Sequence, residues 1–222
     1  MLFVTGEAGI GKTALVTAWL RQLCLREKVW LGYGQCVEHY GTGEPYLVLL
    51  DALNRLCRGP DGDAVINRLR HEAPSWLAYL PGILQRQERE ALWREQHIPT
   101  DMRHNQLELM SVLETLGIDW SVILLLEDLH WSDLSTIEAL AVLARRPEGA
   151  RLLVIATYRP LDLSVRNHAL LTLKRELQVR GQCRELPLLS LDKTAVRAYV
   201  AARLPGDLAN TAVTLVYQRT GG

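Results

Sequence analysis

The stretch Gly6-Glu7-Ala8-Gly9-Ile10-Gly11-Lys12-Thr13 constrains the fold more than any other part of the chain. It follows the apolar run Leu2-Phe3-Val4 and precedes Ala14-Leu15-Val16-Thr17-Ala18-Trp19-Leu20, so a short buried strand, a glycine-rich turn and a helix come in sequence. That is the context in which the pattern G-x-x-x-x-G-K-[ST] reads as a phosphate loop. The loop glycines accept backbone angles that a Cβ forbids, and successive N–H groups can curl round an anion at the positive end of the following helix. Lys12 adds a point charge for outer phosphates, and Thr13 a hydroxyl for a magnesium ion.

The 222 residues give room for one full α/β domain with a sizeable core and a small helical appendage. Lysine plus arginine equals aspartate plus glutamate at 25 each, so the chain has no global electrostatic footprint for nucleic acid or an anionic membrane. Cys24, Cys36, Cys57 and Cys183 are scattered without C-x-x-C spacing, which reads as buried, reduced thiols in a cytoplasmic protein. Apolar runs such as Val122–Leu126 are far too short to cross a bilayer, and no signal peptide is expected ahead of a loop this near Met1. With a core strand at the start and Thr220-Gly221-Gly222 following a helical pattern, the chain reads as a piece of a longer protein.

Further along, Lys12 to about Glu27 predicts a helix with Leu15, Val16, Trp19, Leu20 and Leu23 on one face, followed by a strand at Val29 to Gln35. Two readings stand for the connection Cys36 to Tyr46: a crevice-lining loop in which Glu38, His39 and Glu44 serve the site, or a surface loop whose Glu44-Pro45 starts a helix. Helices are expected over 46–58, 64–71, 74–80 and 101–116, where Met102, Leu109, Val112, Leu113 and Leu116 share a side, while the charge-dense 85–97 reads as a solvated helix or a mobile segment rather than an interaction tail.

Trp120 to Asp128 is the second informative stretch. A continuous apolar run without polar alternation is what a central parallel strand looks like, since helices cover both faces of such a sheet. It ends in Glu127 and Asp128, where phosphate-loop enzymes need an acid for Mg²⁺ and a second group to orient water. His130 reads as a packing or hydrogen-bonding residue rather than a metal ligand, Ser132 as the N-cap of a helix over 134–145, and Asp133 as a dipole-favoured first-turn acid. A further strand, Leu152 to Ala156, ends in Thr157-Tyr158-Arg159-Pro160. Thr157 and Arg159 either reach a terminal phosphate or merely form a turn. A helix over 165–179, a strand over 184–188, a helix over 190–203 and a last amphipathic stretch over 208–218 complete the reading.

The order GEAGIGKT, VILLLEDLHWSD, LLVIATYRP resembles the ATPase domain of the signal-transducing P-loop ATPases with numerous domains. Within that class it is similar to AAA-type modules of large bacterial transcriptional regulators and of the regulatory part of some nucleotide cyclases. GQCVEHYGTGEPYLVLLDAL and APSWLAYLPGIL look like the versions joined to a winged-helix DNA-binding domain and helical repeats. The resemblance implies an α/β P-loop NTPase of three layers, α/β/α, with a five-stranded parallel sheet in the order 5-1-4-3-2. It also implies a helical insertion at about residues 60–100, a core over 1–205, and the start of a helical lid over 206–222.

The resemblance further implies ATP or ADP held by Gly6, Glu7, Ala8, Gly9, Ile10, Gly11, Lys12, Thr13, Ala14 and Thr157, with Mg²⁺ held by Thr13 and Glu127. Asp128, Glu127, Lys12 and Arg159 become the catalytic set, with Asp128 polarising water and Thr157 and Arg159 sensing the phosphate. The implied setting is cytoplasmic, with flanking domains as partners and nucleotide-dependent self-association. The acids depart from the common pattern: Glu127 stands where aspartate is usual and Asp128 where many relatives have glutamate. A methylene is about 1.5 Å, and a displacement near that size can cost ~10²-fold in rate. Slow hydrolysis is therefore expected. The alternative is an ATP-dependent oligomerisation scaffold that does not hydrolyse.

Overall fold

The apolar runs after Met1, after Trp120 and after Arg151 become strands of one sheet in the computed structural model, which describes residues 1–38, 45–96, 102–145, 151–166, 168–203 and 206–220. β1 (Leu2–Thr5), β2 (Val29–Gln35), β3 (Ser121–Glu127), β4 (Leu152–Tyr158) and β5 (Arg184–Pro187) lie in the order β2-β3-β4-β1-β5, and all neighbouring pairs are parallel. Read from the other edge, this is the expected order 5-1-4-3-2. β3 is buried from Val122 to Glu127, as an inner strand covered on both faces must be. β2, at the edge, alternates between buried and half-buried residues.

The two faces are covered unequally. On one, α1 (Lys12–Cys24) packs Val16 and Leu20 against Val4, Ile123, Leu125 and Ile155. The other face carries α2 (Leu47–Cys57), α3 (Gly62–Glu72), α4 (Pro74–Tyr79), α5 (Arg86–Gln96), α6 (Met102–Asp119), α7 (Leu134–Ala144), α8 (Pro160–Arg166) and α9 (Ala169–Val179). Leu53, Leu69, Leu77, Leu92, Leu113 and Leu140 join Phe3, Leu124 and Val154 there in one cluster. The last two helices, α10 (Lys193–Ala201) and α11 (Gly206–Thr220), pack on each other through Val196, Val200 and Val213. Among the described residues no helix is long and apolar enough to cross a membrane.

Several local expectations are corrected. Leu15 and Trp19 are nearly half exposed, because the sheet-facing stripe of α1 is set by Lys12 and continues through Val16 and Leu20. Met102 is likewise half exposed, while Leu109, Val112, Leu113 and Leu116 are buried. The cap of α7 is Asp133, whose carboxylate accepts from the Thr136 N–H at 2.8 Å, whereas Ser132 donates to the Leu129 carbonyl. The helix expected over 165–179 divides into α8 and α9, and the His168 ring caps the second by accepting from Leu170 N–H. Burial holds the Cys36 and Cys57 thiols up at about 12, but Cys24 is exposed. Of the loop residues considered for the site, Glu38 is exposed, and His39 and Glu44 lie outside the described residues.

α2 lies against β2 because Gly34 has no side chain: a Cβ there would fall 2.0 Å from the Val48 carbonyl oxygen. Gly34→Ala is therefore expected to lower the unfolding free energy by about 1–3 kcal/mol through overpacking, read from urea midpoints at unchanged slope.

After β3, a single 3₁₀ turn (Leu129–Trp131) buries His130. Neither ring nitrogen is hydrogen-bonded among the described residues; Nε2 lies 3.4 Å from an Asp162 oxygen without hydrogen-bond geometry. Burial lowers the imidazole pKa; Asp128 and Asp162 oppose the shift, and Arg159 and Lys12 reinforce it. A base kept neutral in the fold takes up a proton on unfolding, so stability is lost as pH falls through the unfolded value of ~6.5. Urea unfolding between about pH 7.5 and pH 5 is expected to show this slope in the parent and a flatter one in His130→Asn.

Candidate functional site

The loop from Gly6 to Thr13 leaves β1 at the end where β3 and β4 also terminate. Gly11 is the N-cap of α1 with φ 97°, a left-handed conformation, and no side chain caps the first turn. The first amides of α1 thus have no side-chain acceptor and keep their affinity for an anion. Gly6 and Gly9 also have positive φ, 151° and 78°. Lys12 lies over the loop: its ammonium donates to the carbonyls of Gly6 at 2.7 Å and Glu7 at 2.9 Å. Burial lowers its pKa, Arg159 adds to that effect, and Asp128, Glu7 and Glu127 oppose it. Those influences place Lys12 within the electrostatic reach of both acids and of Arg159. Thr13 and Ala14 are exposed on the first turn, as are Glu7, Ala8 and Gly9 on the loop, while Ile10 is half-buried.

Glu127 is 2 % exposed; one oxygen accepts from the Tyr33 phenol at 2.7 Å, and the other, Oε1, is buried without a partner. Burial, then the bond to Glu127, pushes the Tyr33 phenol up to about 12, so it remains a donor at neutral pH. Asp128 follows at φ 57°, ψ 42°. Left-handed backbone at a non-glycine residue costs on the order of 1–3 kcal/mol and collects at functional sites. Its N–H donates to the Thr157 hydroxyl at 3.1 Å, and its carboxylate accepts from the Gln35 amide at 3.3 Å. Thr157 is itself 1 % exposed, and its hydroxyl proton is left to donate elsewhere.

Arg159, just past β4, sits 3.8 Å from Asp162, and its Nε is buried without a partner among the described residues. The strand ends thus bring the loop, Glu127, Asp128, Thr157 and Arg159 to one edge of the sheet. Among the described residues no three histidine, cysteine or acidic side chains gather as a metal cage. The unpaired Glu127 oxygen and the Thr13 hydroxyl suit Mg²⁺, a hard cation that keeps waters and shares one or two protein oxygens with phosphate. A separate cavity of about 480 Å³, bordered by Tyr46, Leu50, Trp76, Tyr79 and Met102, touches none of these groups.

Sequence reasoning missed Tyr33 and Gln35. The alternation of β2 puts Tyr33 on the α1 face, but its closeness to Glu127 follows only from the register that pairs Gln35 with Glu127.

No curated protein matches the sequence. Among solved structures, a Walker-type ATPase of Pyrococcus abyssi superposes with TM-score 0.56 at 15% identity, covering 100% of this chain and 63% of that one. A chain of Drosophila ORC bound to AT-rich DNA and Cdc6 superposes with TM-score 0.41 at 14% identity, covering 98% and 62%. The ORC2 protein of Aeropyrum pernix superposes with TM-score 0.45 at 15% identity, covering 91% and 44%. The chain therefore spans less than two thirds of the length of these structures. The first of them agrees with the sheet order in supporting a P-loop ATPase fold. Residues 1–155, well over half of the sequence and including the loop, both acids and most of β4, match the family model for the AAA ATPase domain, and the chain belongs to that family.

Proposed function

We propose that this chain is an ATP-binding, Mg²⁺-dependent and slowly hydrolysing regulatory module of a larger cytoplasmic signalling or transcriptional regulator of the signal-transducing ATPase class. The observation that carries the reading is the pairing, beside the phosphate loop, of a buried acid with an unpartnered oxygen and an acid held in left-handed backbone. Residues Gly6 to Ala14 cradle the phosphates of ATP or ADP. Lys12 exchanges its two loop carbonyls for phosphate oxygens. Thr13 and Glu127 hold Mg²⁺, which when bound neutralises phosphate charge. Asp128 orients the attacking water and takes its proton, while Thr157 fixes the Asp128 backbone. Arg159 supplies positive charge to the terminal phosphate.

Residues 1–205 form the core in this reading, and 206–222 begin a helical lid. The order of GEAGIGKT, EDLHWSD and TYRP supports the signal-transducing subclass, with winged-helix and helical-repeat segments as the proposed flanking partners and nucleotide-dependent self-association as the output. The Glu-then-Asp order of the acids favours a second reading, a scaffold that assembles on ATP without hydrolysing it.

Lys12→Ala in the full-length protein is expected to abolish ATP binding in equilibrium titrations; unchanged binding and turnover would sink the proposal. Asp128→Asn should retain binding and lose about 10²-fold in turnover. Absence of phosphate release from the parent, flanking domains present, moves the assignment to the scaffold.

A further inference from the structure

The acid at the end of β3 is held by a group that neither the loop nor the motif around the acids contains. In the register of β2 with β3, Tyr33 stands opposite Leu125 and Gln35 opposite Glu127. Successive strand residues alternate in face, so Tyr33, Leu125 and Glu127 all point to the α1 side. The phenol crosses diagonally to Glu127 Oε2 at 2.7 Å. Among the described residues it is the only hydrogen-bond donor to that carboxylate, and Oε1 remains buried without one. A buried carboxylate with a single donor is oriented by that donor.

The phenol is itself held. The Arg55 guanidinium stacks on the Tyr33 ring at 4.3 Å. Asp51 grips Arg55 through two bonds, at 3.1 and 3.2 Å, and the same carboxylate accepts the Gln35 N–H at 3.3 Å. Asp51 and Arg55 sit on α2, which approaches β2 this closely because of Gly34. A chain of contacts therefore runs from α2 through Arg55 and Tyr33 to Glu127.

We propose that Tyr33, braced by Arg55 and Asp51, is a positioning residue that fixes the Glu127 carboxylate so that Oε1 is the oxygen offered to the nucleotide-bound Mg²⁺. The inference rests on the nucleotide reading above and adds to it a residue outside the phosphate-loop and acid motifs. It also makes the packing of α2 on β2 a determinant of metal affinity.

The test is Mg²⁺ titration of fluorescent ATP binding to the full-length protein, with binding in EDTA as baseline, for the parent and for Tyr33→Phe, Arg55→Met and Glu127→Gln. Tyr33→Phe is expected to leave binding in EDTA unchanged and to raise the Mg²⁺ half-saturation about tenfold, within the range for losing a residue that orients a metal ligand. Excess Mg²⁺ should restore its turnover, whereas Glu127→Gln should not recover. Arg55→Met, at a half-exposed position, should raise the half-saturation about threefold. A parental half-saturation in Tyr33→Phe, with that of Glu127→Gln shifted, overturns the inference and leaves the nucleotide reading standing. If Tyr33→Phe fails to fold, a parental value in Arg55→Met overturns it. A parent that binds ATP identically with and without Mg²⁺ overturns the inference and the Mg²⁺ dependence proposed above, and a parent that binds no ATP overturns the nucleotide reading itself.

Discussion

Everything at the candidate site depends on the parallel, level pairing of β1, β3 and β4. Thr5 pairs with Tyr158 and Leu126 with Ala156, so three strands far apart in sequence end at the same edge. The phosphate loop, the two acids and the Thr157 to Arg159 turn are the segments that leave those ends. Register also decides which face each group occupies, because a one-residue slip turns every side chain of a strand over. Slipped by one, β3 would send Glu127 into the apolar cluster around Leu124 and Leu140, away from Lys12. The apolar core on that side thus decides which face Glu127 takes.

The edge gathers several features that a folded core normally avoids. Glu127 is buried with half its carboxylate unpaired, Asp128 is held in left-handed backbone, and Lys12 is 8 % exposed. Each is unfavourable taken singly. The Thr157 bond to the Asp128 amide and the Tyr33 bond to Glu127 offset part of that, and the two sheet cores supply the remainder. Strain and desolvation gathered on neighbouring residues at one end of the strands are what distinguishes a site from a scattered fault in packing.

The fold was largely legible in the sequence. Inner parallel strands need no polar alternation, so Val122–Leu126 and Leu152–Ala156 announced themselves, and the loop glycines marked the β1 to α1 turn. What failed were features decided by neighbours in space. Whether Ser132 or Asp133 caps α7 depends on backbone angles one residue apart, and Asp133 is further committed by accepting the Tyr46 N–H. No proline or glycine lies between α8 and α9, so their division could not be read. For the candidate site, the motifs named the residues but not their supports. Thr157 stands at the expected strand end, but that its hydroxyl also receives the Asp128 amide is a contact between two strands that the sequence does not show. Tyr33 lay unmarked within a strand, since nothing in one sequence gives the register of β2 on β3.

The supports bear on how the proposed switch would work. Lys12 is already satisfied by two loop carbonyls, so a phosphate must compete with the protein for the same ammonium rather than meet an idle charge. Displacing those carbonyls frees the loop backbone, which couples binding to loop conformation. On the far side, Glu127 is tied through Tyr33 and Arg55 to α2, and Asp128 through Thr157 to β4. A ligand engaging Lys12, Glu127 and Asp128 together would bias three elements at once, and only to the extent that it binds one of their arrangements better than another. With hydrolysis as slow as proposed, that differential binding persists long after the phosphate arrives, which suits a slow switch better than a motor.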